Sequence, residues 1–325
     1  MRGSHLTPLI LVLDFGGTKH TAAVISPHER QWEAHKRAFS PPNSNAETDI
    51  QIMISLAKQL LAGRQPSAIG VSFGGPVDFT TGIVRLSHHV PGWENIQLRQ
   101  LLETEFNAPT SVDNDANVAA LGEHRFGAGQ GFDNLLYITV STGVGGGWIL
   151  NGKPWRGFSG MAGEIGHTVA DANGPMCLCG KRGCVERLAS GPYIAQQAKE
   201  WLEVQPDQGQ ILRTLINNNL ESLSAQLISQ AASQGDKLAE KALEKAAWAL
   251  GIGIGNAANL INPERFILGG GVTKSGEKFW EVVRKVARET ALPEVEFEIV
   301  PAAFADDAPL WGAVALAEYL LLNCL

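Results

Sequence analysis

Three thiols and an imidazole stand close together in this chain: His167, then Cys177-Leu178-Cys179, then Cys184, in a glycine-rich stretch. A Cys3His set saturates a tetrahedral zinc ion and leaves no open position, so zinc bound here would be structural. Gly180 and Gly183 let the backbone turn tightly around an ion. Buried free thiols or a redox pair are the other readings of the same residues. Glu164 precedes His167 by three residues and Glu186 follows Cys184 by two. A loop fixed by metal could aim both carboxylates at hydroxyl groups, each oxygen accepting a charge-assisted hydrogen bond. Solvated surface glutamates are the plainer alternative.

A second group of residues suits phosphate chemistry. Asp14-Phe15-Gly16-Gly17-Thr18-Lys19 puts a carboxylate at the end of an apolar run and a side-chain-free turn directly after it. Turn amides of this kind approach phosphate oxygens, and the carboxylate suits a hydrated magnesium ion. The pattern is neither a Walker loop nor a Rossmann fingerprint, and a plain hairpin would also satisfy it. Ser141-Thr142-Gly143-Val144-Gly145-Gly146-Gly147 repeats the device with hydroxyls and five turn amides. Asn114-Asp115-Ala116-Asn117 reads either as an Asx helix start or as a carboxylate poised beside a substrate hydroxyl. Phosphoryl transfer needs such a group to orient the hydroxyl and take its proton late. Gly269-Gly270-Gly271 offers bare backbone for a flat ring, or a simple strand-to-helix turn.

Elements to position these groups are visible in the apolar patterning. Leu9–Leu13 and Ala22–Ile25 read as strands flanking the first glycine turn, and Leu135–Val140 and Trp148–Leu150 flank the second. This repetition of strand, glycine turn and returning strand predicts two similar lobes facing one another. Further strands are expected at Ala68–Phe73, Pro109–Val112, Arg265–Leu268 and Val295–Val300. Helices are expected at Ile50–Leu61, from Ala116 to Gly127, through much of Pro192–Asn262 including Asp236–Ala249, and at Pro309–Leu322. Alternating strands and helices predict an α/β fold. The expected domains are a small lobe of residues 1–118 plus 309–325 and a large lobe of residues 119–308, which carries the cysteine loop.

Composition narrows the classes. At 325 residues and 44% hydrophobic content the chain can bury a large core. Its net charge of −7 disfavours nucleic acid and anionic lipid as partners. Three of four cysteines within eight residues do not form an extracellular disulfide framework, and no apolar run approaches a membrane span, so a soluble, cytoplasmic protein is expected. Cys324 is expected to pack as a small apolar group in the last helix, and Met1–His5 is similar to a tag leader.

Together these motifs resemble those of the ROK family of sugar kinases and repressors, which are similar to hexokinase and actin in fold. The resemblance runs from about residue 10 to residue 312. Glu164-Ile165-Gly166-His167 with Cys177-x-Cys179-Gly180-x-x-Gly183-Cys184-x-Glu186 is its most specific part. It implies a two-lobed actin/hexokinase-like (ribonuclease H-like) fold with a zinc loop, and Asp115 as catalytic base. It further implies sugar contacts from Gly75, Asn114, Asp115, Glu164, His167 and Glu186. ATP and Mg2+ would be served by Asp14, Gly16, Gly17, Thr18, Lys19, Ser141, Thr142, Gly143, Gly269, Gly270 and Gly271, and structural Zn2+ by His167, Cys177, Cys179 and Cys184. His167 would give one ring nitrogen to zinc and turn the other to the sugar. The implied activity is ATP-dependent phosphorylation of the 6-hydroxyl of a hexose, glucose first and N-acetylmannosamine next, in a homo-oligomer. A sugar-sensing regulator is the alternative of a different class. Only Met1–Pro8 precede the first strand, too few for a DNA-reading helix pair. The chain departs from the family pattern at His88-His89-Val90-Pro91-Gly92-Trp93 and at Phe73, where an altered pocket rim is expected.

Overall fold

The computed structural model describes residues 8–27, 29–87 and 90–323. The chain packs as two units: one holds the N-terminal part through Gly131, Pro154–Ala162 and the segment from Asp307, and the other holds Phe132–Lys153 and Gly163–Asp306. The break expected at 118/119 therefore falls inside a helix that belongs wholly to the first unit. Met1–His5, His88, His89 and Cys324 lie outside the described residues.

In the first unit the elements are β1 (Ile10–Phe15), β2 (Lys19–Ile25), β3 (Ala34–Phe39), α1 (Ala46–Leu61), β4 (Ala68–Phe73), the short strands β5 (Val77–Asp78) and β6 (Ile83–Val84), α2 (Leu98–Phe106), β7 (Thr110–Asn114) and α3 (Asp115–Phe126). A closing helix spans Ala308–Asn323. The sheet order is β3-β2-β1-β4-β7, with β1 antiparallel to β2 and β1, β4 and β7 parallel. β1 and β4 are buried along their whole length, as parallel strands covered on both faces are. α1 starts earlier than its apolar spacing suggests because the Asn45 side chain caps the amide of Thr48. Its Ile50, Met53, Ile54, Ala57, Leu60 and Leu61 join the core. The closing helix packs on β4 and α3. A Cβ at Gly312 would sit 1.7 Å from the carbonyl oxygen of Val118, so only glycine allows that approach.

In the second unit the elements are β8 (Leu135–Val140), β9 (Val144–Leu150), β10 (Lys153–Trp155, whose last two residues count with the first unit), α4 (Val185–Ala189), α5 (Gly191–Val204), α6 (Gln210–Leu215), α7 (Ala225–Ser233), α8 (Lys237–Ile261), β11 (Arg265–Gly269), α9 (Glu277–Thr290) and β12 (Glu298–Pro301). The sheet order β10-β9-β8-β11-β12 repeats that of the first unit, again a hairpin followed by parallel strands. The internal repetition read from the sequence is thus a repetition of topology. α8 runs well past Ala249 to Ile261, packing against α9. β12 begins at Glu298 rather than Val295. No helix among the described residues is long and apolar enough to cross a membrane.

Candidate active site and metal centre

In the first unit the chemistry gathers at the carboxyl ends of the parallel strands, the place where open α/β sheets bind ligands. Asp14, Ser72 and Asp113 lie in register across β1, β4 and β7, followed by Phe15, Phe73 and Asn114. Asp14 is buried and accepts a hydrogen bond from the Ser72 hydroxyl at 2.8 Å. Burial pushes its carboxyl above the usual range, against the hydrogen bond from Ser72 and the charge of Lys19. The turn at Gly16, Gly17 and Thr18 joins β1 to β2, and the Gly16 amide is tied to the Lys19 carbonyl at 3.0 Å.

Asn114 is the cap of α3. Its Oδ1 accepts the amides of Ala116 (3.0 Å) and Asn117 (3.4 Å), and its Nδ2 donates to the Gly75 carbonyl at 3.1 Å. The helix-start reading of this residue is therefore correct in structure, and one Nδ2 hydrogen is left for a hydroxyl. The contact also brings Gly75 into the site. Asp115, the first residue of α3, is half-buried and its Oδ1 accepts the amide of Ala116 at 2.8 Å. A Cβ built on Gly74 would lie 3.8 Å from both Asp115 Oδ2 and the Gly16 backbone, so the base candidate and the first glycine turn are neighbours. Phe73 belongs to the core of the first unit. Its ring is buried against Trp93 at 4.6 Å and Phe15 at 6.2 Å.

In the second unit the glycine turn is shorter than its sequence suggests. Gly145, Gly146 and Gly147 belong to β9 and pair with Thr139, Ile138 and Tyr137. The Ser141 amide closes the turn onto the Gly143 carbonyl at 2.9 Å. The Val144 amide is taken by Glu186 Oε2, also at 2.9 Å. Thr142 and Gly143 therefore carry the turn amides left for a ligand, in place of the five expected. Gly270, with φ of 92°, lies against the Val140 carbonyl, so the Gly269–Gly271 turn adjoins the Ser141 turn. Gly271 faces open space.

His167, Cys177, Cys179 and Cys184 place one ligand atom each within 4.8 Å of one another. Cys177 and Cys184 are buried, Cys179 is exposed, and the buried His167 Nδ1 has no hydrogen-bond partner. Burial, followed by the sulfur atoms of Cys179 and Cys177, pushes the Cys184 thiol up to about 12. A divalent ion would reverse that shift by its charge, so an orphaned nitrogen and three crowded sulfurs fit zinc. The loop is fixed to the sheet: Gly166 packs so closely on the Val144 carbonyl that a Cβ would come within 2.0 Å. The Val185 amide binds the Thr168 carbonyl at 3.0 Å. Glu164 is exposed at the start of the turn leading to His167.

No sequence motif marks Ser72, Asp113 or Arg156. Alternation along β7 gives no separate sign for Asp113, and no local pattern marks Arg156.

The sequence pattern of the ROK family matches residues 10–319, and the chain belongs to that family. It is 35% identical to a glucokinase of Halalkalibacterium halodurans, over 92% of each chain. It is similar in fold to a ROK family glucokinase from Streptomyces griseus in complex with glucose and AMPPNP, with a TM-score of 0.83 and 33% identity over 96% of this chain and 99% of that one. A xylose repressor of Caldicellulosiruptor bescii is 32% identical over 76% of this chain and 61% of its own length.

Proposed function

We propose that the chain is an ATP-dependent hexokinase that phosphorylates the 6-hydroxyl of glucose. The observation that carries the reading is its similarity, along nearly the full length of both chains, to a kinase that binds glucose and an ATP analogue. Asp115 and the acidic and imidazole groups such a reaction needs are also present.

The first unit supplies the proton acceptor. Asp115 lies at the N-terminus of α3, where the helix favours negative charge. In the reading it orients the sugar hydroxyl and takes its proton late, as a loose phosphoryl transition state requires. The remaining Asn114 Nδ2 hydrogen and the Gly75 backbone serve the same sugar. The second unit supplies the hydroxyl-binding carboxylates Glu164 and Glu186 together with His167. The amides of the Gly16–Lys19 and Ser141–Gly143 turns hold phosphate oxygens, and Gly269–Gly271 lies along the adenosine.

Asp14 fits a magnesium ion travelling with the nucleotide, because a nearby cation offsets the burial that raises its carboxyl. The ion, when bound, neutralises charge on the phosphates. Zinc at His167, Cys177, Cys179 and Cys184 holds the loop that carries Glu186. Those thiols suit a reducing compartment, which keeps the cytoplasmic placement within the reading.

Replacing Asp115 by Ala tests the assignment. Sugar-dependent ADP release is expected to fall by about 10²–10⁴-fold, with glucose binding by calorimetry retained. Undiminished turnover removes Asp115 as base. A coupled assay across glucose, mannose, fructose, N-acetylglucosamine and N-acetylmannosamine is expected to give glucose the highest kcat/KM. A higher value for N-acetylmannosamine moves the substrate assignment to that sugar.

A further inference from the structure

Directly before the Glu164–His167 motif, the chain leaves the second unit, packs Pro154–Ala162 with the first, and returns at Gly163. The excursion is anchored by Arg156. Its Nε and one terminal nitrogen donate to the same oxygen of Asp113, at 2.8 Å and 2.6 Å. Its guanidinium lies over the Phe79 ring, 3.6 Å from the centroid. The Ala162 amide bonds back to the Arg156 carbonyl at 3.0 Å, closing the segment into a loop. The other Asp113 oxygen accepts the Asn114 amide at 2.8 Å and the Asn117 side chain at 3.4 Å.

A buried ion pair adds little stability over apolar residues of the same volume, so stability alone is a weak reason for this one. Its geometry gives a better reason. Both carboxylate oxygens of Asp113 are engaged, one by Arg156 and the other by the Asn114 amide and the first turn of α3. We propose that Arg156 is a positioning residue for phosphoryl transfer, which through Asp113 fixes the Asn114 backbone and so aims the Asp115 carboxylate. The inference rests on Asp115 being the base.

Arg156 is the charged group facing Asp113. β4 presents Ser72 in register and α3 presents Asn117. Burial raises the Asp113 carboxyl and the Arg156 charge opposes that rise. Without the guanidinium Asp113 takes up a proton at higher pH and loses its hold on the Asn114 amide.

The test compares Arg156→Lys, Arg156→Met, the double variant Asp113→Asn/Arg156→Met and Asp115→Ala in the full-length enzyme. Measurements are kcat and KM for glucose and ATP, the pH profile of kcat, and the melting temperature. In Arg156→Met kcat is expected to fall by up to about 10²-fold, with a smaller fall in Arg156→Lys, whose ammonium keeps the charge and lacks the planar fork. The ATP KM stays near wild type, and the acid limb of the profile moves to higher pH in Arg156→Met, less so in Arg156→Lys, where the charge opposing the rise of Asp113 is kept. That shift separates misaimed chemistry from a smaller folded fraction, which lowers kcat without moving the limb. The double variant carries no unpaired buried charge, so it melts near wild type while its kcat stays low. Wild-type kcat in that double variant, or an unmoved acid limb in Arg156→Met, overturns the proposal. If Asp115→Ala retains full turnover, the base assignment itself has failed. If Asp115→Ala is inactive while the Arg156 variants are normal, only the positioning role has.

Discussion

Glu186 illustrates how a residue legible by type acquires a second partner by folding. Its position after Cys184 suggests a sugar-binding carboxylate, and the structure shows Oε2 accepting the Val144 amide beside the second glycine turn. One side chain, two residues beyond Cys184, therefore reaches the turn assigned to phosphate. Glu186→Ala removes both the sugar-binding carboxylate and this contact, and a lost hydrogen bond to a charged group is worth about 10-fold or more in affinity. The KM values for glucose and for ATP are both expected to rise. Glu186→Gln keeps an acceptor for Val144, so its ATP KM returns toward wild type while the glucose KM stays raised. Steady-state kinetics on the two variants check this, and an ATP KM unaffected by Glu186→Ala would show that the turn does not depend on the contact. Asn114 makes the complementary point: its two readings, helix cap and ligand contact, are not exclusive, because capping uses Oδ1 and leaves an Nδ2 hydrogen.

Among the elements, the glycine turns and the metal loop were written locally. Apolar runs broken by Gly16-Gly17 and by Ser141–Gly143 had to become hairpins, and both did. The number of amides left in the second turn was not local, because Gly145–Gly147 also satisfy strand pairing once β8 lies beside them. The end of α8 was hidden for a related reason. Gly251, Gly253 and Gly255 weaken the helical signal in sequence but allow Val286, Val185 and Thr290 to pack closely, so tertiary contact outweighs propensity. In the His167–Cys184 loop, Cys179 is the exposed cysteine of the proposed zinc set, so Cys179→Ser would change coordination with little change in packing. Zinc content is expected to fall from one ion per chain to near zero, with a melting temperature lower by several degrees and a raised glucose KM. Chelation of the wild type should reproduce the effect. A zinc-free variant that melts as the wild type does would remove the structural role.

Across the whole molecule, the net charge of −7 and the buried acids set how stability responds to pH. Asp14 and Asp113 are both raised by burial, so between the usual carboxylate range and their folded values the native state holds more protons than the unfolded chain. Their contribution is full at low pH and is lost as pH rises through the folded values. Burial of Asp14 as a carboxylate is thus a cost to the native state. Asp14→Asn retains an acceptor for Ser72 and is expected to raise the melting temperature at pH 7 by roughly 2–4 °C while abolishing kinase activity. The gap should narrow toward pH 5, and scanning calorimetry across that range checks the sign. A variant that melts lower than wild type at pH 7 contradicts it.

The sequence by itself determined the donor atoms and the local backbone: the Cys3His set, the two glycine turns, the Asn114-Asp115 helix start and the alternation that makes an α/β chain. Such features depend on a few consecutive residues, whose side-chain chemistry and allowed dihedrals suffice. Only the tertiary structure decided that Arg156 grips Asp113 across 43 positions, that Glu186 reaches Val144 across 42, that Phe73 is core, and that the closing helix joins the first unit. Those pairings have no period in the chain, because they are set by which surfaces pack after the strands have registered.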